Sequence, residues 1–511
     1  MRRRLSATVV GALVAGLAPV SVAGAQPGPA ATYEPEDIVW EPCDDFAPGL
    51  ECGQVEVPID YADPDRATLE IAVSRLAATD PATRRGVLLL NPGGPGGSGL
   101  LLPLYIAQLT SAYPEVRATF DLVGFDPRFV GYSTPVSCGL TVNEMDVPRW
   151  PEGDFDGEVE FAHTIADKCA ANAGWALPHA SSLNVARDMD VVRAALGEDR
   201  ISYLGYSYGA TLGRDYLSLY PDRVDRFVLD SNTHPFRTGR ADDRAFGPNF
   251  ERMLNLFTRF VARDPARYGM GADARTGRRN FDALIAQAEE VPIEAGDEVF
   301  TARDIRVIAF RLLYAENRFD WLGRFVKTLR EGQPLPDDIA FLANLRRFLP
   351  IPGVPLDNFI AVYHLISCGD DAYPRDVDRY EREHAIDSAR YPFAGPAWSN
   401  ISPCAFWPEL DREPTPSIVG NRTHLLLVNS TGDPATPYDG ALATRLLMPN
   451  ARLVTVVANH HAVFGEYPSA CVEEAVVDYL VYGVKRDVLC LAAAGAASPA
   501  GAAPVSVGVI G

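Results

Sequence analysis

Six short apolar runs, each near a stretch with helical spacing, constrain the fold of this chain more than any other feature. They lie at residues 86–91, 120–125, 201–204, 226–229, 424–428 and 453–457. The first is apolar without the alternation of a half-buried strand, as expected where helices cover both faces of a parallel sheet. Strands that alternate with helices form right-handed βαβ units. The pattern predicts an α/β fold with a mostly parallel sheet.

Two other parts of the chain depart from this pattern. Residues 54–58 and 69–73 alternate polar and apolar side chains and are predicted as paired edge strands. Between the fourth and fifth apolar runs, the chain shows helical spacing and no comparable strand. We therefore expect a largely helical cap at residues 236–420, inserted between core segments 26–235 and 421–490.

Both ends of the chain differ from its globular middle. Arg2–Arg4 precede an apolar run at about 7–22, and Ala23–Ala25 form a small-x-small cleavage site. A membrane anchor is the alternative, but the run is interrupted by Pro19 and falls short of the ~20 residues of a membrane span. We expect residues 1–25 to be a signal peptide cleaved near Ala25, leaving a secreted protein without a stable membrane anchor. Residues 491–511 are predicted as a low-complexity tail.

The cysteine count is relevant to whether the chain is exported. Eight cysteines in an exported chain predict disulfides, and they could form up to four. Proximity in sequence suggests pairs, although mixed pairing and free thiols stay open. The suggested pairs are Cys43 with Cys52, Cys138 with Cys169, Cys368 with Cys404, and Cys471 with Cys490. No Cys/His spacing resembles a zinc site, and we expect no metal and no other cofactor.

The charge balance limits the classes of molecule that the protein is expected to bind. Lys and Arg number 46 against 67 Asp and Glu, a formal net charge of −21. Such a field repels phosphate backbones and anionic lipid, so nucleic-acid binding is not expected. An acidic surface instead favours substrates that carry a free ammonium group.

A serine lies in a glycine-flanked turn between a predicted strand and a predicted helix. Gly205-Tyr-Ser207-Tyr-Gly209 follows the strand at 201–204 and precedes helical residues 210–220. This is the context of a nucleophile elbow, a sharp turn where side chains on the flanking residues would collide with backbone. The alternative is a helix-capping serine in a glycine-rich turn.

A serine hydroxyl becomes a nucleophile only when a base removes its proton, so candidate bases and carboxylates matter. Asp433 follows the strand at 424–428, and His460 and His461 follow the strand at 453–457. The order Ser207, Asp433, His461 is the chain order of α/β-hydrolases. We prefer His461 because the small neighbour Ala462 lets the loop approach the nucleophile, but His460 stays open.

The loop Asn91-Pro-Gly-Gly-Pro-Gly-Gly-Ser-Gly99 follows the first apolar strand. Its backbone N–H groups, together with that of Tyr208, could form an oxyanion hole. The loop lacks both the Lys-Ser/Thr ending of a Walker motif and a dinucleotide-binding fingerprint, which disfavours a phosphate site. A flexible connector is the other alternative. Elsewhere, His234 follows a strand end and is a further candidate for the pocket.

These residues carry a family resemblance. The motifs around Ser207 and Asp433, the segment Tyr-Pro-Asp-Arg-Val-Asp-Arg-Phe-Val-Leu-Asp230 and the glycine-rich loop resemble the secreted tripeptidyl aminopeptidases of actinobacteria. Those enzymes belong with the proline iminopeptidases to one group of serine peptidases. The resemblance extends from about Cys43 to Cys490. It implies an α/β-hydrolase core, Ser207 as nucleophile, Asp433 as orienting carboxylate and His461 as base and acid, with Gly94 as second oxyanion donor.

The chain departs from the family pattern at a few positions. Pro92 stands where proline iminopeptidases have histidine, and Phe129 where the family usually has glycine. His460 and Ala462 replace the glycines that usually flank the histidine. We expect Phe129, His460 and Ala462 to lie near the pocket and to affect substrate preference.

These features predict an exported serine exopeptidase that releases short peptides, tripeptides among them, from free N-termini. Asp370 and Asp371, which follow Cys368, are candidates to pair with the substrate amine. A secreted carboxylesterase or lipase with the same triad is one alternative. A non-catalytic secreted binding protein is another. The sequence makes no prediction of oligomeric state.

Overall fold

The computed structural model describes residues 33–43, 47–347 and 350–491. The expected signal peptide at 1–25 lies outside these residues, as does the expected tail apart from its first residue. In the described part of the chain, none of the helices is both long and apolar enough to span a membrane.

Twelve strands occur in the described residues. They are β1 Glu41–Pro42, β2 Glu51–Pro58, β3 Thr68–Leu76, β4 Gly86–Asn91, β5 Phe120–Phe125, β6 Ile201–Tyr206, β7 Val224–Asp230, β8 Ile293–Ala295, β9 Glu298–Phe300, β10 Leu425–Ser430, β11 Arg452–Val456 and β12 Val488–Cys490. All six apolar runs are strands, and the two alternating segments belong to β2 and β3.

Fifteen α-helices occur in the same residues. They are α1 Leu102–Leu109, α2 Pro114–Thr119, α3 Phe155–Ala173, α4 Ser182–Ala195, α5 Tyr208–Leu219, α6 Arg240–Val261, α7 Pro265–Tyr268, α8 Ala274–Glu290, α9 Ala302–Leu312, α10 Phe319–Glu331, α11 Asn358–Asp370, α12 Val377–Arg390, α13 Gly395–Trp398, α14 Asp439–Leu447 and α15 Ala470–Val477. Short 3-10 turns occur between them, and a π-helical turn, Asp478–Tyr482, follows α15.

Ten of the strands form one sheet, in the order β1-β2-β3-β5-β4-β6-β7-β10-β11-β12. The strands from β5 to β12 in that order are parallel, whereas β1, β2 and β3 are antiparallel to their neighbours. The carboxyl ends of parallel strands meet at one edge of a sheet, where α/β proteins place their sites. The sheet is therefore the mostly parallel one that the sequence predicted.

Burial on both faces explains the continuous apolar runs. In β4, Val87 and Leu89 belong to the core on one face, and Leu88 and Leu90 to the core on the other. All four side chains are at most 2% exposed. A polar residue at any of these positions would leave an unsatisfied group in one of the two cores.

The segment predicted as a cap divides between two cores. Helices α6 to α10 and α13 form a separate apolar core around Phe250, Phe310 and Phe325. In contrast, α11 packs through Leu365 into a core under the sheet, and Trp407 lies in that same core. The small antiparallel hairpin β8–β9 adds the one strand pair of this segment in the described residues.

Four disulfides cross-link the described part of the chain. They join Cys43 to Cys52, Cys138 to Cys169, Cys368 to Cys404, and Cys471 to Cys490. These are the four pairs suggested by proximity in sequence. The third ties α11 to the loop before β10 and so fixes the end of α11 that carries Asp370.

Candidate active site

Ser207 lies on a strained turn between β6 and α5. Its φ of 57° is in the left-handed region, which non-glycine residues adopt rarely. The backbone N–H of Ser207 donates to Asp230 O at 2.9 Å. A Cβ on Gly205 would lie 2.5 Å from Gly209 O, so the turn requires glycine there. This is the geometry of a nucleophile elbow.

The glycine-rich loop lies directly against this turn. A Cβ on Gly93, whose φ is 99°, would lie 2.5 Å from Tyr206 O and 3.2 Å from Tyr208 N. The Gly93 N–H donates to Asn91 Oδ1 at 2.9 Å. In the described residues, no backbone hydrogen bond uses the N–H of Gly94. The N–H of Tyr208 begins α5 and has no intrahelical acceptor.

Asp126 holds the far end of the same loop. Its Oδ1 accepts from Ser98 Oγ at 2.6 Å and from Gly99 N at 3.0 Å, and its Oδ2 accepts from Tyr132 N at 2.9 Å. Burial raises the pKa of Asp126 to about 6. No role for this carboxylate was predicted from the sequence, although it follows a strand end.

His461 is held by Asp433. Its Nδ1 lies 2.9 Å from Asp433 Oδ1 and 3.0 Å from Oδ2, and both side chains are almost fully buried. Asp433 also accepts hydrogen bonds from the N–H groups of Ala435 and Thr436 and from the Thr436 hydroxyl. An Nδ1–H that donates to a carboxylate leaves Nε2 as the basic nitrogen.

His460, the alternative base, is turned away from this site. Its Nδ1–H donates to the carbonyl oxygens of His461 and Ala462 at 2.8 and 2.9 Å. Its Nε2 is buried and has no hydrogen-bond partner in the described residues. Burial, together with the charge of Arg318, lowers the pKa of His460 to about 3. The geometry therefore singles out His461.

Asp230 fixes the loop that carries His461. Its carboxylate accepts from the N–H groups of Val463 and Phe464, and the neighbouring Ser231 Oγ accepts from Ala462 N at 2.7 Å. Burial raises the pKa of Asp230 to about 7. The sequence showed Asp230 only as the end of a strand, and its role depends on tertiary contacts.

Ser207 and His461 line one cavity of about 1870 Å³ between the sheet edge and the cap. In the described residues, no hydrogen bond joins Ser207 to the His461 ring; in free enzymes such bonds are often long and tighten with substrate. His234 also lines the cavity, but its Nδ1 accepts from Phe236 N at 3.1 Å. Phe129, His460 and Ala462 are buried and do not line it, within the described chain. Phe129 and Ala462 nevertheless have the positive φ that favours glycine.

A group of carboxylates lines the same cavity, and we call it the carboxylate cluster. Its members come from α5, α6 and the end of α11: they are Asp215, Asp242, Asp243, Asp370 and Asp371. Burial raises the pKa of each, to about 7 for Asp215 and Asp243. Repulsion within the cluster acts in the same direction, between Asp215 and Asp370 for instance.

The cluster members differ in their partners. Asp242 forms an ion pair with Arg237 at 3.2 Å. Both oxygens of Asp370 accept from Ser182, whose Oγ also lies 2.7 Å from the Tyr208 hydroxyl. Asp243 lies near the Arg240 charge and the Tyr373 hydroxyl but has no ion pair in the described residues. Of the whole cluster, only the two aspartates that follow Cys368 were predicted from the sequence.

The pKa shifts of buried carboxylates predict how stability depends on pH. Four of these groups have a pKa of about 7 in the folded protein: Asp215, Asp230, Asp243 and Glu473. Their pKa in an unfolded chain is about 4, so the folded protein binds the extra protons and loses stability as pH rises through 7. His364 and His460, with pKa values lowered to about 4 and about 3, act oppositely but are fewer.

We therefore expect a lower free energy of unfolding at pH 8 than at pH 5.5, measured by urea unfolding at both values. The Asp243→Asn variant removes one of the groups and should show a smaller difference between the two pH values. An equal or higher free energy of unfolding at pH 8 would contradict this assignment of buried, protonated carboxylates.

A serine on a strained strand-to-helix turn that shares a cavity with an aspartate-held histidine is the arrangement found in serine hydrolases. Residues 86–468 match the family model described as alpha/beta hydrolase fold. The chain belongs to the α/β-hydrolase family and is a serine hydrolase.

Its curated relatives make the class more specific. Over 479 residues it is 33% identical to a tripeptidyl aminopeptidase of Streptomyces lividans, in a match that covers 89% of this chain and 86% of the relative. It is 29% identical to the serine protease Hip1 of Mycobacterium tuberculosis, covering 88% and 89%. It is also 32% identical to carboxylesterase B of Mycobacterium tuberculosis, covering 94% and 97%. The two peptidases support placing the chain among the α/β-hydrolase serine peptidases.

Proposed function

We propose that the protein is an exported serine exopeptidase that removes short peptides, tripeptides among them, from free N-termini. The observation that carries the proposal is the carboxylate cluster in the wall of the cavity that also holds Ser207 and His461. A charged ammonium group is the natural partner for several partly desolvated carboxylates. A cleft of one charge sign also attracts such substrates.

The proposed reaction uses the geometry around Ser207. His461 Nε2 accepts the Ser207 hydroxyl proton as Oγ attacks the scissile carbonyl carbon. The N–H groups of Tyr208 and Gly94 stabilise the oxyanion. The protonated His461 then gives its proton to the leaving amine, while Asp433 stabilises the imidazolium and stays ionised. Water, activated by His461, hydrolyses the acyl-enzyme.

Recognition of the free amine is assigned to Asp243, supported by the negative field of Asp370 and Asp371. Asp243 lies at the start of the first cap helix and, within the described residues, forms no ion pair, so it can accept a substrate ammonium group. The cap over the cavity would exclude long folded substrates from reaching Ser207.

The direct test compares one peptide with its N-terminus free or acetylated. Acetylation removes the positive charge and is expected to abolish cleavage, measured by mass spectrometry of the products. The masses of the fragments also give the length of the released peptide. Equal turnover of the two peptides would overturn the exopeptidase assignment.

The Asp243→Asn variant tests the residue itself. It keeps the side-chain shape and removes the negative charge, so KM for a free-amine peptide should rise by about tenfold or more, with a smaller change in kcat. Asp411→Asn is the matched control, because Asp411 is an exposed residue on the rim of the same cavity. An unchanged KM in the Asp243 variant would remove Asp243 from amine recognition.

A carboxylesterase is the second candidate, favoured by the carboxylesterase B relative. Ester and amide cleavage use the same acyl-enzyme chemistry. The two candidates are distinguished by kcat/KM for simple acyl esters against free-amine peptides of similar acyl size. A clear preference for esters would favour the carboxylesterase.

Export is proposed on two features. Residues 1–25 have the sequence pattern expected of a signal peptide, and all eight cysteines form disulfides, which persist mainly in oxidising compartments. N-terminal sequencing of protein recovered from the culture medium would test cleavage near Ala25.

A further inference from the structure

One cation in the cavity wall differs from the others. Eight arginines line the cavity, and seven of them donate hydrogen bonds to protein oxygens, as Arg303 does to Asp146 and Arg347 to Glu298. The guanidinium group of Arg311 has no hydrogen-bond or ion-pair partner in the described residues. A guanidinium group carries five N–H donors, so its place in a partly enclosed wall leaves strong donors free for a ligand.

The position of Arg311 relates it to His461. Arg311 is the second-last residue of α9, and Tyr314 lies in the turn that follows the helix; both line the cavity and interact electrostatically with each other. The Tyr314 carbonyl oxygen accepts from the His461 N–H at 2.9 Å, and the two rings are in edge contact with centroids 5.4 Å apart. Arg311 is therefore on the wall that holds the base.

The carboxylate cluster is connected to a different part of the site. Asp370 reaches Tyr208, the residue after the nucleophile, through Ser182. The polar groups that act most strongly on Arg311 are Tyr314 and Asp146, and Asp146 is already paired with Arg303. Burial of the guanidinium group lowers the pKa of Arg311. Within the described residues, the cavity thus has an acidic part linked to the nucleophile turn and an unpaired cation connected to the base through Tyr314.

In a serine hydrolase, the base delivers its proton to the leaving group, so the leaving segment lies on the histidine side. We propose that Arg311 binds a carboxylate on the segment C-terminal to the scissile bond. This inference rests on the proposed exopeptidase function and narrows its substrates to short peptides with a free amine at one end and a carboxylate beyond the cleaved bond. Arg311 is a specificity-determining residue in this scheme and takes no part in bond cleavage.

The carboxylate can come from the peptide C-terminus or from an acidic side chain, and substrates separate the two. The first pair is a free-amine tetrapeptide with a C-terminal carboxylate or a C-terminal amide. The second pair carries a C-terminal amide and has Asp or Asn directly after the cleaved bond. We expect the parent protein to favour the carboxylate member of at least one pair by about tenfold in KM. Equal KM values within both pairs would overturn the proposal.

Variants then connect the preference to Arg311. Arg311→Gln should cleave both members of the favoured pair with equal KM, and Arg311→Lys should keep part of the preference. Because the measured quantity is a ratio within one enzyme preparation, partial loss of folded protein does not affect it. Arg347→Gln is the matched control, since Arg347 lies on the same cavity but is paired with Glu298. A full preference retained by Arg311→Gln would assign the carboxylate to another residue.

Failure of this inference is distinguishable from failure of the proposed function. If acetylation of the N-terminus does not affect cleavage, the exopeptidase proposal fails whatever Arg311 does. If acetylation abolishes cleavage but the C-terminal carboxylate and the acidic side chain have no effect, only the role of Arg311 fails. A preference for an acidic residue before the cleaved bond would also overturn it, because that residue belongs to the acyl segment.

Discussion

Replacing Ser207 with alanine is expected to lower kcat by about 10⁶-fold, the size of effect seen when the nucleophile of a serine protease is removed. The reason is chemical: without Oγ there is no acyl-enzyme, and the oxyanion hole and substrate binding alone give only a small residual rate. The measurement is steady-state cleavage of a free-amine peptide, with the products identified by mass.

Alanine is a conservative replacement for Ser207, because it leaves the strain of the backbone at this position unchanged. Alanine keeps the Cβ, and the hydrogen bond from the Ser207 N–H to Asp230 O belongs to the backbone. We expect far-ultraviolet circular dichroism and the unfolding midpoint to stay close to those of the parent. Ser417→Ala is the control, because Ser417 is an exposed serine on the rim of the cavity. If Ser207→Ala retained near-normal turnover, Ser207 could not be the nucleophile.

The central strands could be predicted because nearly all of their consecutive residues are apolar. A strand with helices on both faces has no polar side, so runs such as Gly86–Asn91 stand out without knowledge of the fold. Strands β1 and β12, of two and three residues, carry no such pattern. The insertion predicted at residues 236–420 includes α11, but the sequence could not show that α11 packs under the sheet, since helical spacing defines an apolar face and not its partner.

In the candidate site, too, some residues could be predicted from the sequence and others depend on tertiary packing. Strand ends, glycines and chain order point to Ser207 and Asp433 from the sequence alone, because nucleophile chemistry restricts residue types and positions. Asp243 and Arg311 could not be found this way. Charged residues on amphipathic helices are usually solvated, and only the packing of the cap turns these two toward a cavity.

The second large effect is expected at Asp433. Asp433→Asn should lower kcat by about 10⁴-fold, although asparagine has nearly the same shape. The N–H groups of Ala435 and Thr436 donate to Asp433 Oδ1, so an asparagine oxygen would keep that position. The amide NH₂ group would then take the place of Oδ2, 3.0 Å from His461 Nδ1, and would compete with the remaining acceptor Oδ1, which lies 2.9 Å from Nδ1 and already accepts from two N–H groups. A donor there favours the imidazole tautomer with its proton on Nε2, and that nitrogen could no longer accept the Ser207 proton.

A changed His461 tautomer has consequences beyond a loss of rate. Because the residues act as one unit, the double variant Ser207→Ala with Asp433→Asn should be no slower than Ser207→Ala alone. Asp439→Asn is the control, since Asp439 is exposed and, in the described part of the chain, pairs only with Arg237. Kinetics with a free-amine peptide, together with imidazole nitrogen shifts measured by NMR, would test both parts. Additive losses in the double variant, or an unchanged Nδ1–H tautomer in Asp433→Asn, would show that Asp433 does not orient the base.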